Sequence, residues 1–414
     1  MKIKIHLSRI IPTIILSIAF ITKWKTYNVI WYFPYLLTIP LLAYYSIYYF
    51  SNWNKEAHEN IQIIIRISLI PYFISIIYSI FLLVGSDTII NPLFRAISLT
   101  GQYAFVILLM GFIYIRFDID LADILINAMI LTYIYILIAA LFGLGAKGFL
   151  KYITSFWYPE KYIFTLSRWF EIHDMGLSVG MLVIYNLFLR QEKKKVQTAL
   201  LIIAMVLCYK RIAILAFFVA SALALIAKNS EGLIKNKIID IVLVSMPIVC
   251  LLYITIVSTG ILYTIGDLYG IDFSGRSFIY IYMKRFYEFS PTFFGKGMGF
   301  TEKYLTSING TAEGAYVNNY GYIHNDVLKM FIDYGFWGCI FWLLWYFIYI
   351  SSTMKRCFGE YARYVYCIMM VYAFIVYMTD NATRYFVFQA VLFAMLLVSC
   401  KGSSKKNEIL DYYN

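Results

Sequence analysis

The fold class is decided by stretches such as residues 121–143, LADILINAMILTYIYILIAALFG, in which Asp123 is the single charged residue. A helix needs about 20 mainly apolar residues to cross the hydrocarbon core of a bilayer, and this stretch is long enough. Hydrophobic residues make up 62% of the 414-residue chain and charged residues 14%, whereas soluble domains are less apolar and more charged. The sequence therefore predicts an all-α polytopic membrane protein.

Similar stretches recur along the chain and define its predicted organisation. They lie at 8–22, 26–50, 61–84, 92–115, 121–143, 174–190, 197–208, 210–227, 238–258, 325–350, 361–379 and 384–400. Because helices satisfy their own backbone hydrogen bonds in lipid, these stretches predict about 12 transmembrane helices. We expect them to form a single integral membrane domain over residues 1–414.

Two connectors, residues 144–173 and residues 259–323, are longer than a simple turn requires. The second has roughly 65 residues, and loops of that length are commonly functional. Its stretch 277–290 combines aromatic and basic residues, which predicts an amphipathic helix in the membrane interface. We expect both connectors to be extracytoplasmic and 259–323 to be the large functional loop.

The net charge of +12 comes from lysines and arginines that cluster in particular connectors. Residues 190–195, 228–237 and 401–406 are rich in them, whereas the intervening short connectors hold fewer. The positive-inside rule places the rich segments in the cytoplasm, which puts both termini there and the 259–323 loop outside. Basic residues spread over connectors in this way do not form a nucleic-acid-binding face, so we expect no nucleic-acid partner.

Residues 197–227 are long for one span and carry two cations in their middle. A single helix would place Lys210 and Arg211 near mid-membrane, where each charge costs at least ~2.5 kcal/mol. Two short helices that meet at Tyr209-Lys210-Arg211 avoid this cost and keep both flanks in the cytoplasm. We therefore predict a helical hairpin with Lys210 and Arg211 at its extracytoplasmic tip.

Cationic side chains are concentrated on the predicted extracytoplasmic side. They include Arg168, Lys210, Arg211, Arg276, Lys284 and Arg285. Guanidinium groups suit phosphate because they donate paired, charge-assisted hydrogen bonds. The alternative for each residue is a contact with lipid headgroups. That alternative is weaker for Arg276, which follows a Ser-Gly pair, and for the hairpin tip.

His324 is one of four histidines and precedes the apolar stretch 325–350. The positive end of a helix dipole disfavours imidazolium, which leaves a neutral ring available as a general base. Helical periodicity places His324 on one face with Leu328, Phe331 and Gly335. A lone histidine is more often structural than catalytic, so both interpretations stand at this point.

Acidic residues form no recognisable metal site in the sequence. Asp326 and Asp333 flank Lys329 at helical spacing, and we expect the three to neutralise one another. Asp118 and Asp120 mimic a DxD metal motif, but they belong to a predicted cytoplasmic connector. The six cysteines contain no CxxC pair. We therefore expect no metal and no cofactor.

Several short motifs together resemble the O-antigen ligase/polymerase superfamily of membrane glycosyltransferases. They are Ser-Gly-Arg at 274–276, Gly-Met-Gly at 297–299, His-Asn-Asp-Val-Leu at 324–328, Gly-Phe-Trp-Gly at 335–338, the Arg-led segment 168–176, and Tyr-Lys-Arg at 209–211. The last replaces a Ser-Arg pair at the hairpin tip, and Asp-Met replaces a Pro-Asn pair within 168–176. The order of spans is similar over nearly the whole chain.

The resemblance implies transfer of a glycan from undecaprenyl diphosphate to an acceptor hydroxyl, without a nucleotide sugar or a metal. It implies His324 as the base and Arg276 as a catalytic cation. Substrate-binding residues would be Arg168, Lys210, Arg211, Arg285 and Asn325. The location implied is the outer face of the bacterial cytoplasmic (inner) membrane. Implied partners are the undecaprenyl-diphosphate-linked oligosaccharide and membrane lipid. The resemblance also allows a chain-length regulator protein as a partner.

Three activities are consistent with these features. A Wzy-type polymerase would join repeat units into O-antigen or capsular polysaccharide. An O-antigen ligase of the same fold would transfer the glycan to a lipid or protein acceptor. A polysaccharide flippase or transporter would also need a cationic cavity, but transporters usually show internal repeats and charges along the path. Here the charges collect at one face, which favours an enzyme, and we interpret it as the polymerase.

The charge asymmetry makes a direct prediction about topology. Reporter fusions after residue 310 and after the C-terminus should give opposite signals, periplasmic for the first and cytoplasmic for the second. Alkaline phosphatase and green fluorescent protein fused at each point would measure this. Matching signals from the two positions would contradict the predicted orientation.

Overall fold

The computed structural model describes residues 7–22, 32–52, 55–83, 90–154, 173–190, 192–208, 210–230, 232–270, 276–316 and 321–401. Within these residues every regular element is helical. The all-α prediction is therefore confirmed for the part of the chain that the structure describes.

The helices are numbered here in chain order. They are α1 Leu7–Ile21, α2 Phe33–Ser51, α3 Lys55–Leu83, α4 Ile90–Phe117, α5 Asp120–Thr154, α6 His173–Ile184, α7 Lys195–Cys208, α8 Arg211–Asn229, α9 Gly232–Thr259, α10 Ile261–Tyr269, α11 Arg276–Met283, α12 Phe300–Ser307, α13 Ala312–Tyr316, α14 Asp326–Leu344, α15 Ser351–Tyr377 and α16 Phe386–Lys401. Short π turns extend α6 and join α14 to α15.

Many of these helices are suited to a membrane. Among the residues that the structure describes, six helical segments are long and apolar enough to cross one: His58–Leu82, Leu93–Phe117, Asp120–Lys151, Arg211–Asn229, Gly232–Thr259 and Asp326–Tyr377, the last of which runs from α14 to α15. Shorter apolar helices cover Ser8–Ile21, Asp174–Leu189, Lys195–Cys208 and Phe386–Cys400. Each apolar stretch of the sequence overlaps a helix, while the count of about 12 crossings stays a prediction.

The predicted hairpin within 197–227 is confirmed as two helices. Helix α7 ends at Cys208 and α8 begins at Arg211. The chain therefore does not carry Lys210 through the middle of one long helix. The side of the membrane on which this turn lies stays a prediction.

Helix α16 occupies the interior of the bundle. It packs against α15, α4 and α6, and residues that point in different directions around it, such as Phe386, Val387 and Phe388, are fully buried. A helix that is apolar on every side is typical of such a position. Because α16 is central, the short connection 378–385 that leads into it is held among several other elements.

The region 259–323 is built mainly from short helices. It contains α10 to α13, joined by turns. The predicted amphipathic helix 277–290 is too long, since α11 covers Arg276–Met283 and a 3-10 turn ends at Phe286. Beyond that turn the backbone bends through 287–299, where three glycines adopt positive φ angles.

The stretch 325–350 is not one continuous helix, contrary to the prediction. Gly335 interrupts α14 with φ 72° and ψ −174°, a combination essentially restricted to glycine. The single helical face predicted to run from His324 to Gly335 and beyond is therefore broken at that glycine. Sequence periodicity could not show this, because a glycine on a helix face also serves close helix packing.

The break at Gly335 is filled by the loop that precedes α12. Phe336 N–H donates to the Phe293 carbonyl at 2.8 Å, and Lys296 N–H donates to the Ile332 carbonyl at 3.0 Å. A Cβ atom added to Gly335 would lie 2.2 Å from the backbone of Phe294 and 2.5 Å from that of Gly295. Two backbones thus touch directly, and the large loop is fixed to the helix that follows His324.

Because the loop backbone contacts the Gly335 backbone directly, we predict that Gly335→Ala strongly lowers the stability of the fold. The φ strain alone costs roughly 1–3 kcal/mol, and the clash with the backbone at 294–295 adds to it. Gly145→Ala is a matched control, since Gly145 has φ 68° and ψ 165° but open space around its Cβ position. Thermal unfolding of the detergent-solubilised variants should show a larger fall in Tm for Gly335→Ala. Equal falls would mean that the backbone contact contributes nothing.

Candidate active site

The candidate site is organised around Asp380, in the connection between α15 and α16. Its side chain is 1% exposed. Its Oδ1 atom accepts hydrogen bonds from the Asn381 backbone N–H at 2.8 Å and from the Tyr385 hydroxyl at 2.9 Å. The Nδ1 atom of His324 lies 3.5 Å from Oδ1, and Nη2 of Arg276 lies 3.7 Å from Oδ2. One buried carboxylate thus faces a histidine and an arginine from two other segments.

His324 is held in an unusual backbone conformation. Its φ is +51°, in the left-handed region that only a few per cent of non-glycine residues adopt, among which Asn, Asp and His are enriched. Its carbonyl accepts a hydrogen bond from the Tyr280 hydroxyl at 3.0 Å. Strained residues of this kind are concentrated at functional sites. The side chain is 20% exposed, so the ring is accessible while its backbone is fixed.

Asn325 explains how the chain turns from His324 into α14. Its Oδ1 accepts the Leu328 backbone N–H at 2.9 Å, which caps the helix. Its Nδ2 donates to the Tyr253 hydroxyl at 3.1 Å, and that hydroxyl donates to the Met378 carbonyl. Asn325 is completely buried. Its amide therefore links α14, α9 and the end of α15.

Arg276 is the first residue of α11 and contacts the same connection twice. Besides the carboxylate of Asp380, its guanidinium donates to the Thr379 carbonyl. Burial raises the pKa of the neighbouring Tyr280 to about 12, so that hydroxyl stays protonated and serves as a donor. The Arg276 side chain remains 26% exposed beside these partners.

A second cluster lies beside the first and is centred on Glu302 in α12. The carboxylate is 2.6 Å from Nη2 of Arg95, 2.5 Å from Nζ of Lys329 and 3.6 Å from Nη1 of Arg384. Burial alone would raise the pKa of Glu302, but these three cations outweigh it and hold the pKa well below its usual range. Glu302 is therefore ionised at neutral pH.

Arg384 is almost fully buried and is stabilised from two directions. Its guanidinium carbon lies 3.9 Å from the centre of the Tyr322 ring, a cation–π geometry. Burial would lower the pKa of Arg384, but Glu302 and Tyr322 raise it above the ordinary value. The charge is thus retained in the interior, four residues after Asp380.

The predicted mutual neutralisation of Asp326, Lys329 and Asp333 is wrong as a direct pairing. Lys329 forms its ion pair with Glu302. Asp333 accepts the Gly299 N–H at 3.0 Å and both the N–H and the hydroxyl of Thr301, at 3.0 and 2.6 Å. It therefore caps helix α12, a role that depends on a contact 32 residues away.

The structure brings three of the predicted site residues together and leaves others apart. His324, Arg276 and Asn325 meet around the 378–385 connection. Arg285 instead donates to the hydroxyls of Tyr282 and Tyr304 and stacks over the Tyr282 ring at 4.0 Å.

The hairpin residues occupy a different neighbourhood. Lys210 is buried and packs closely on Gly176 of α6, while Arg211 is exposed at the start of α8. Burial raises the pKa of the Tyr385 hydroxyl, and the carboxylates of Asp380 and Asp174 raise it further. Arg168 lies outside the described residues.

Sequence reasoning missed Asp380, Glu302, Arg384 and Tyr280 as parts of this arrangement. A signal was present for two of them, because Asp380 and Arg384 stand between two apolar stretches where a plain connector would need no charge. Nothing local in the sequence distinguishes Glu302 from the other acidic residues of the loop.

Chemically, the arrangement offers a carboxylate beside Nδ1 of an accessible imidazole and a guanidinium beside the same carboxylate. A carboxylate in that position orients the ring and leaves the other nitrogen to exchange a proton. Hydrogen bonds of this kind are often long before substrate binds, in keeping with the 3.5 Å separation. Among the described residues, no group of three or more His, Cys, Asp or Glu side chains forms a metal site.

A comparison with families of known proteins gives a match to part of the chain. No curated protein matches the chain. Residues 197–343 match the model of the family described as O-antigen ligase. The matched region includes Arg211, Arg276 and His324, whereas Asp380 lies beyond its end. Residues 197–343 of this chain are thus similar to the O-antigen ligase family, in agreement with the resemblance predicted from its motifs.

Proposed function

We propose that the chain polymerises undecaprenyl-diphosphate-linked oligosaccharide repeat units into O-antigen or capsular polysaccharide at the outer face of the bacterial cytoplasmic membrane. The observation that carries this proposal is the meeting of His324, Arg276 and Asp380 at one connection. The O-antigen ligase family domain supports glycosyl transfer from a lipid-linked sugar as the general activity.

In the proposed reaction, an acceptor hydroxyl attacks the anomeric carbon of the lipid-linked glycan. The new glycosidic C–O bond forms as the bond to the diphosphate breaks, and the diphosphate leaves with the electron pair. His324 takes the hydroxyl proton. Asp380 then faces an imidazolium, whose charge it stabilises. A positioned base of this kind typically contributes ~10²–10⁴-fold to the rate.

The leaving diphosphate needs cationic partners more than it needs an acid. Arg276 is the proposed first partner, because its guanidinium is partly exposed beside His324. Lys210, Arg211, Arg168 and Arg285 remain proposed further contacts along the path of the substrate. Asn325 is completely buried, with both ends of its amide engaged, so we now assign it the positioning of His324 in place of a substrate contact.

We predict that His324→Ala abolishes polymer formation and leaves binding of the lipid-linked donor nearly unchanged, because a base acts in the transition state. His324→Asn is the matched variant, since Asn tolerates the left-handed backbone but cannot act as the base. Purified protein in excess chelator, supplied with lipid-linked repeat units, would measure both. Near-normal polymer from His324→Asn would contradict the role of the imidazole.

A second candidate is ligation, which the description of the matched family favours. The chemistry at His324 would be the same, and only the acceptor would differ. In a deletion strain we expect lipid cores capped by single repeat units, because polymerisation is lost and ligation continues. Uncapped cores together with lipid-linked polymer would instead identify a ligase. Complementation by the wild-type chain and by His324→Ala is the control.

A further inference from the structure

Asp326 contacts the connection that carries Asp380 at two points. Its Oδ2 atom accepts the backbone N–H of Thr383 at 2.8 Å. Its own backbone N–H donates to the carbonyl of Asp380 at 3.3 Å. The residue is 1% exposed and lies two positions after His324. It therefore ties the segment that presents the histidine to the segment that presents the carboxylate.

We propose that Asp326 is a positioning residue: its carboxylate holds the 380–383 backbone so that Asp380 faces His324 and Arg276. This inference rests on the proposed function of His324 and Asp380. It assigns Asp326 no contact with substrate. The rate of glycan transfer should depend on it through Asp380.

Other contacts hold the same connection, but they act at different places. Arg276 and Tyr253 bind carbonyls before Asp380, at Thr379 and Met378. After Asp380, the side chain of Arg384 is fixed by Glu302. Asp326 is placed between these anchors and binds the backbone on both sides of Asn381. In the same stretch Gln389 Nε2 donates to the Ala382 carbonyl at 3.0 Å. The Asp326 carboxylate is the acceptor for the Thr383 N–H, and without it the turn that aims the Asp380 side chain would lose that support.

Asp326 lines a cavity of about 50 Å³, and its second oxygen, Oδ1, accepts no hydrogen bond within the described residues. The amide oxygens of Gln102 and Gln389 belong to residues that line the same cavity, and within the described residues neither has a hydrogen-bond partner. An amide at position 326 would keep an oxygen for Thr383 N–H and turn its N–H₂ group toward these acceptors. Asp326→Asn should therefore fold and retain the contact, whereas Asp326→Ala loses it.

The kinetic test is a double-mutant cycle with Asp380. We expect Asp326→Ala to lower kcat about 10- to 100-fold, the range for groups that orient a reacting residue, and Asp326→Asn to restore most of it. In an Asp380→Ala background, Asp326→Ala should have no further effect, because the position of the connection no longer matters. If the fold-losses in kcat of Asp326→Ala and Asp380→Ala instead multiply in the double variant, the inference is overturned.

Asp333→Ala is the matched control for this cycle. Asp333 lies in the same helix segment, is equally buried and also accepts backbone N–H groups, but on α12. Its loss should lower stability and should multiply with Asp380→Ala instead of vanishing in that background. A cycle for Asp333 identical to that for Asp326 would show only general destabilisation and would contradict a specific role.

A readout independent of activity separates this inference from the proposed function. In a Cys357→Ser background, which removes the exposed native cysteine, Thr379→Cys reports on the connection through its labelling rate with a thiol reagent. Asp326→Ala should raise that rate several-fold, while Asp326→Asn and Asp333→Ala leave it unchanged. An unchanged rate with Asp326→Ala overturns the positioning role. If Asp380→Ala retains full activity, the proposed function fails while the labelling result still decides this inference.

Discussion

The ion cluster at Glu302 is the interaction on which the site depends. A single buried carboxylate binds cations from α4, from α14 and from the connection before α16. Charges of this kind are expensive to bury unless they are paired, and removing one partner leaves the others uncompensated. Because Arg95, Lys329 and Arg384 all need Glu302, helix α12 cannot move away without exposing or stranding three cations. The large loop is thereby locked to the bundle.

The ion cluster at Glu302 restrains the geometry around Asp380 in two ways. Through Arg384 it fixes the far end of the connection that carries Asp380. Through Lys329 it fixes the helix that begins just after His324. The backbone contact at Gly335 binds the same loop to the same helix. A reacting residue works best when such surrounding contacts leave it little freedom, and here they come from one loop.

The sequence predicted the helices, the break between two helices near 210 and the candidates His324 and Arg276, because each leaves a local signal. The length of an apolar stretch indicates whether it can span a bilayer. A histidine before such a stretch can be recognised without knowledge of the fold. The partners of these residues leave no such signal. Glu302 and Arg95 are 207 positions apart, and no periodicity connects them. The same limit explains Lys329, whose helical neighbours suggested the wrong partner, and Gly335, where a packing glycine and a helix break look alike.

Two properties differ between the charged cluster at Glu302 and the one at Asp380: the exposure of the side chains and the completeness of their ion pairing. These properties separate the structural charges from those that we propose act on a substrate. The side chains of Glu302 and Arg384 are each 3% exposed and form an ion pair. Their charges are therefore neutralised by partners within the fold. His324 and Arg276 are 20% and 26% exposed and share Asp380 at distances longer than a good hydrogen bond. A surrounding of low dielectric constant strengthens the electrostatic interaction between such a partly satisfied pair and any charged group of a substrate. The fully paired cluster therefore supplies rigidity, and the incompletely paired one beside it keeps capacity for the diphosphate and the proton of the proposed reaction.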